Sequence, residues 1–125
     1  MNLRQAYLLT CAAGVALLAL SYGAMPVQSM KLLFGITVAD VNTAHILRAV
    51  MGLYLAMALF WVIGARRAEL RQAALYSQLA FVAGLGGGRV VSLLTDGLPH
   101  PLLLAYLVVE VVFSVLTWLM IRRPD

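Results

Sequence analysis

Apolar residues in this chain fall into four long blocks separated by short polar breaks. The blocks cover about 6–24, 44–64, 72–95 and 102–121, each close to the roughly 20 residues that an α-helix needs to cross a hydrocarbon core. Pro26 closes the first block, Arg66 and Arg67 stop the second, and Asp96-Gly97 ends the third. Pro99 and Pro101 open the fourth, which Arg122 and Arg123 terminate. Proline in the first turn of a helix is harmless, because the N–H it lacks would have no intrahelical acceptor there. The pattern predicts an all-α fold, an integral membrane four-helix bundle, with residues 1–125 forming a single domain.

The connection from 26 to 43 is the longest. Leu32, Leu33, Phe34, Ile36 and Val38 make it too apolar for a free loop, yet it is too short to span. It is expected to be an interfacial or re-entrant segment lying against the bundle, with Asn42 or Thr43 capping the helix that follows. The basic start and apolar run of the first block also fit a signal peptide. We read that block as a retained helix.

Composition sharpens the membrane reading. Of the 125 residues 63% are hydrophobic and 11% charged, against roughly 25% charged in a soluble domain. So short a chain is mostly surface, and that surface must face something apolar. The net charge of +4 could suggest nucleic acid, but the basic residues sit at helix ends rather than along one exposed face. Arg4, Arg66, Arg67, Arg71, Arg122 and Arg123 flank one side, while the loops of the other side hold only Lys31. The positive-inside rule then places both termini in the cytoplasm. Tyr7, Trp61, Tyr76 and Trp118 fall near the same boundary, as an aromatic belt would. The lone Cys11 has no partner for an internal disulfide.

Candidate chemistry lies in three ionisable residues inside the blocks, Arg48, Arg89 and Glu110. At 1.5 Å of rise per residue they lie about 6, 9 and 12 Å from the outer end of their helices, all in the outer half of the bilayer. A charge there costs about 2.5–3.5 kcal/mol on insertion scales and needs a partner or water. His45 is one turn outward of Arg48, Ser92 and Asp96 follow Arg89 on its helix, and Tyr106 is one turn outward of Glu110. The expected site pairs Glu110 with Arg89 and puts Arg48 near Asp96 or on Glu110. Such a cluster can lock helix register, hold a ligand or anionic head group, or carry a proton or ion. The inner half, with Gln78, Ser114 and Thr117 as its main polar groups, offers no titratable relay for the last of these.

The run Gly84-Leu85-Gly86-Gly87-Gly88 does not match a nucleotide-binding loop. Ala80, Gly84 and Gly88 recur every fourth residue, and Ala49, Gly52 and Ala56 do the same on the second helix. Small residues at this spacing let helices pack closely, so Gly52, Gly84 and Gly88 are expected at helix contacts. No metal site is expected of His45, Asp96 and His100, because Gly97 and Pro99 break the helix that would align the last two. Ser92 has neither an adjacent base nor a G-x-S-x-G context. The pattern points away from an enzyme, and no cofactor is expected.

Arg48-x-x-x-Gly52, then Gly87-Gly88-Arg89-x-x-Ser92-x-x-x-Asp96-Gly97-x-Pro99, then Glu110, resemble a bacterial domain-of-unknown-function family of small four-helix inner-membrane proteins. The similarity covers almost the whole chain. It implies a bacterial inner-membrane location and places Arg48, Arg89, Asp96 and Glu110 in a family-typical polar set; it implies no reaction. The function expected is binding of a lipid-like or anionic amphipathic ligand at the Arg/Glu cluster. The alternative is an accessory subunit or assembly factor of a larger membrane complex. Expected partners are membrane lipids, with a membrane protein or a second copy as further possibilities, and no nucleic acid.

Overall fold

The computed structural model describes residues 1–125 and contains five helices and no strand. They are α1 (Leu3–Gly23), α2 (Pro26–Phe34), α3 (Val41–Arg66), α4 (Ala68–Thr95) and α5 (Pro101–Arg122). All but α2 are long and apolar enough to cross a membrane. The chain is a multi-pass membrane protein built as a helical bundle. Its four crossings alternate in direction, so the two ends of the chain emerge on one face.

Local sequence explains where each helix starts and stops. Asn2 and Gln5 form a reciprocal capping box on α1: Gln5 N–H donates to Asn2 Oδ1 at 2.9 Å, and Asn2 N–H donates to Gln5 Oε1 at 2.7 Å. Pro26 opens α2 and Gly35, at φ +70°, ends it, because glycine enters the left-handed region without steric cost. The cap of α3 is Asp40, not Asn42 or Thr43, which lie inside the first turn. Thr43 N–H donates to Asp40 Oδ1 at 2.6 Å. This bond holds the Asp40 carboxyl below its usual range. The cap contribution is therefore complete above the ordinary carboxylate pKa and fades as pH falls through the lower folded value. A single extended residue, Arg67, separates α3 from α4.

The apolar connection between the first two crossings is the nine-residue helix α2 plus a run without regular secondary structure to Asp40. Pro26, Met30 and Phe34 form its buried stripe, and Met30, Phe34 and Val38 make a small satellite core against Tyr22, Leu47 and Tyr106. The segment expected to be interfacial or re-entrant thus lies against the bundle through this apolar stripe.

The main core lies where α1 meets α3, the most extensive interface, with α4 against α3 and α5 completing the bundle. Small residues dominate it: Ala12, Ala19, Ala58, Ala65 and Ala74 are buried around Leu8, Trp61 and Leu75. Two glycines set the closest approaches. A Cβ on Gly23 would lie 2.5 Å from Met51 Cβ and 2.9 Å from the Leu47 carbonyl oxygen; one on Gly64 would overlap Ala74 Cβ. The packing role expected of Gly52, Gly84 and Gly88 is not what the structure has. A Cβ at any of them would meet nothing within 4 Å. Their small faces are turned away from the helix contacts, and the close approaches fall at the two ends of the α1–α3–α4 set instead.

Aromatic rings run through the bundle as a connected series. Phe34 stacks on Tyr22, Tyr22 meets Tyr54 edge-on, and Phe81 meets both Tyr54 and Trp61 edge-on at 4.8 and 5.5 Å between centroids. Trp61 therefore does not belong to a boundary belt. It is 1% exposed, and its Nε1–H donates to Ser77 Oγ at 3.0 Å, which meets the polar requirement of a buried indole. Tyr76 and Trp118 remain exposed.

Candidate functional site: an ion pair beside an interhelical cavity

The centre of the site is a salt bridge between adjacent helices. Arg89 Nε, on α4, donates to Glu110 Oε1, on α5, at 2.7 Å. The Glu110 side chain is 8% exposed and that of Arg89 22%. Gly86 faces α5 at this point, and a Cβ there would sit at ordinary van der Waals distance from Glu110 Cβ, 3.7 Å. One turn before Glu110, the Tyr106 ring lies 5.6 Å from Arg89 Cζ, within cation–π range. The Glu110 backbone carbonyl accepts from Ser114 Oγ at 2.7 Å. A buried carboxylate is costly unless paired and hydrogen-bonded, and Arg89 meets that need with one of its five N–H donors.

Arg89 also lines a cavity of about 410 Å³. Tyr22 of α1 and Tyr54 of α3 close one side, Leu103 and Leu107 of α5 another, and Gly84, Gly88 and Ser92 of α4 the third. The glycines are wall positions: the space that their side chains would fill is the cavity. Glu110 borders a second, smaller and mostly apolar cavity of about 130 Å³, together with Cys11 and Gln78.

The other residues expected here are arranged differently. Arg48 reaches neither Asp96 nor Glu110. It is exposed on α3, and its Nη1 donates to the Gly23 carbonyl at 2.9 Å, a cation placed on the negative end of α1. Gly23 lets α3 come that close, and the guanidinium takes its carbonyl. Arg48→Ala is accordingly expected to lower stability by less than about 1 kcal/mol, read from thermal unfolding in detergent. A larger loss would mean a buried partnership that this geometry lacks. Asp96 accepts from Ser92 Oγ at 2.8 Å, an exposed local pair at the end of α4. His45 is exposed and joins no cluster. His100 Nδ1 accepts from Leu102 N–H at 3.1 Å, capping α5. No three His, Cys, Asp or Glu side chains converge.

Residues 3–121 match the model of the family described as Domain of unknown function (DUF4345). The chain belongs to that family. No curated protein and no solved structure matches it. The DUF4345 match covers all four crossings, so the Arg89–Glu110 pair and the cavity lie wholly within the family domain.

Sequence reasoning missed three parts of this DUF4345 chain. Tyr22 and Tyr54 line the cavity; each is a lone tyrosine in an apolar run, and that was the available signal. The first helix is also more than apolar packing. Tyr7 shares a 2.6 Å hydrogen bond with Thr117 Oγ1, Thr117 bonds to Gln78, and Gln78 Nε2 lies 3.5 Å from Cys11 Sγ. Polar groups that looked isolated along the chain thus form one connected set across α1, α4 and α5. The third part is a pair of buried arginines, Arg4 and Arg71, at the end of the bundle where the chain termini meet.

Proposed function

We propose that this DUF4345 protein binds a lipid-like or anionic amphipathic molecule in the cavity beside Arg89. The observation that carries the reading is the composition of the cavity wall. Two glycines leave the volume open, leucines and tyrosine rings supply apolar surface, and one guanidinium with donors to spare supplies a charge. A volume of about 410 Å³ lies within the roughly 300–1,000 Å³ typical of small-molecule sites. It suits a small amphiphile or part of a lipid. Apolar walls take the hydrocarbon portion, while the terminal nitrogens of Arg89 present a fork that matches carboxylate or phosphate oxygens. Glu110 holds Arg89 in place and neutralises it when the cavity is empty.

The six arginines on the face that carries the chain ends support an inner-membrane orientation with both termini cytoplasmic. The cavity then opens in the outer half of the bilayer.

The test is native mass spectrometry of the chain extracted in a mild detergent. Wild-type protein is expected to retain a lipid-mass adduct that Gly88→Leu loses. Because a Cβ at Gly88 meets nothing within 4 Å, the leucine enters the cavity rather than a helix contact, and the fold is expected to persist. Equal adduct retention in a folded Gly88→Leu variant would sink the proposal.

A further inference from the structure

At the opposite end of the bundle from the Arg89 cavity, two buried arginines converge on one carboxylate. Arg4, in the first turn of α1, is 7% exposed and Arg71, in the first turn of α4, is 4% exposed. Arg4 Nη1 donates to Asp125 Oδ1 at 2.9 Å, and Arg71 Nη1 donates to Asp125 Oδ2. Arg4 Nη2 also donates to Gln72 Oε1, and Arg71 Nη2 donates to the Ala65 carbonyl at 2.9 Å. The Nε of each arginine is buried with no hydrogen-bond partner.

The charges do not balance. Two buried guanidiniums share a single carboxylate, and the helix dipoles leave that imbalance standing, because α1 and α4 begin at this end while α3 and α5 finish at it. An unpaired buried donor and a surplus buried charge are each costly. Beside them lies a cavity of about 470 Å³ bordered by Asn2, Arg4, Arg123 and Asp125. The Asp125 side chain is 37% exposed, far more than its two partners, and so can be displaced without opening the core.

We infer that Arg4 and Arg71 form a second binding site, for a phosphate group, which Asp125 fills as an intramolecular stand-in. A phosphate has the same charge sign as the carboxylate and more acceptor oxygens, so it can pair both guanidiniums and still take further donors. Arg123 sits at the mouth to add a third positive charge. The phosphate comes either from the head group of an anionic phospholipid on the arginine-rich face or from free phosphate. This inference does not depend on what occupies the Arg89 cavity.

The test titrates the full chain in neutral detergent with phosphatidylglycerol, with phosphatidylcholine and with inorganic phosphate, reading the thermal midpoint. Phosphatidylglycerol or inorganic phosphate is expected to raise it, and phosphatidylcholine, whose phosphate is already paired with its own choline cation, is not. A response to phosphatidylglycerol alone assigns the site to lipid head groups; an equal response to inorganic phosphate assigns it to the free ion. Arg4→Gln is expected to weaken the response about tenfold or more, the loss of one charge-assisted contact. Asp125→Asn, which keeps both arginines, is expected to strengthen it by a comparable factor. Gly88→Leu, which fills the outer cavity while keeping the Arg89–Glu110 pair, is expected to leave it in place, which separates this site from the outer cavity. Equal responses to both lipids with none to phosphate would overturn the inference. So would a response that Arg4→Gln and Asp125→Asn both leave unchanged, or one that Gly88→Leu abolishes.

Discussion

Glu110→Leu, made with Arg89 left in place, is expected to destabilise the bundle by about 3–5 kcal/mol, the range for removing one partner of a buried ion pair. The cost does not measure the worth of the bond. It arises because a guanidinium 22% exposed would face an apolar interface with no counter-charge. The double variant Arg89→Met/Glu110→Leu is expected to recover most of the loss, since apolar side chains of similar volume often replace a buried pair at little cost. Thermal unfolding of the wild type, both single variants and the double variant in one detergent gives the coupling directly. If the double variant is as unstable as Glu110→Leu alone, the pair is not what the bundle depends on here. Recovery of stability with loss of the lipid adduct would separate the structural role of the pair from its role in binding.

The second large effect is expected at Gly64. A leucine there must pass Ala74 Cβ and the Leu70 carbonyl oxygen, 3.3 Å from an added Cβ, and the last turn of α3 cannot move away because only Arg67 joins it to α4. Overpacking of this kind costs about 1–3 kcal/mol and at times more, and Gly64→Leu is expected at the upper end. Gly23→Leu faces the same obstacle against Met51 and the Leu47 carbonyl, and it would also disturb the carbonyl that Arg48 caps. Gly52→Ala and Gly84→Ala are the contrast. Both have open space, and replacing a mid-helix glycine with alanine gains up to about 1 kcal/mol of helix propensity. Detergent melts that placed Gly84→Ala below Gly64→Leu would mean that Gly84, not Gly64, is the packing glycine.

That contrast shows what could be read along the chain. The spacing of glycine and alanine on α4 is a real helical stripe, but a stripe states only that small residues share a face. It does not state which way the face turns. In a soluble bundle the charged positions of a helix would reveal its outer side. Here lipid and core are both apolar, so Gly84 and Gly88 could equally have met a helix, the bilayer or a cavity. The same ambiguity put Trp61 at a boundary when it lies in the core, and it hid the inward turn of Tyr22 and Tyr54. Arg48 is the clearest case. Its depth allowed a contact with the Arg89 cluster, and the rotation of α3 took it to the Gly23 carbonyl instead.

The sequence by itself determined the four crossings, the short amphipathic segment after the first and the shared face of the two chain ends. These follow from hydropathy and helix-end chemistry, which are local. It also made the Arg89–Glu110 pair foreseeable, because two ionisable groups at similar depth on consecutive helices have few other ways to escape lipid. Only the tertiary structure decided which glycines pack and which line a cavity, and which carbonyl Arg48 caps. It also brought Arg4, Arg71 and Asp125, far apart along the chain, onto one another. Each of these depends on how an apolar helix is rotated about its own axis against its neighbours, and a surface apolar on every side does not encode that angle.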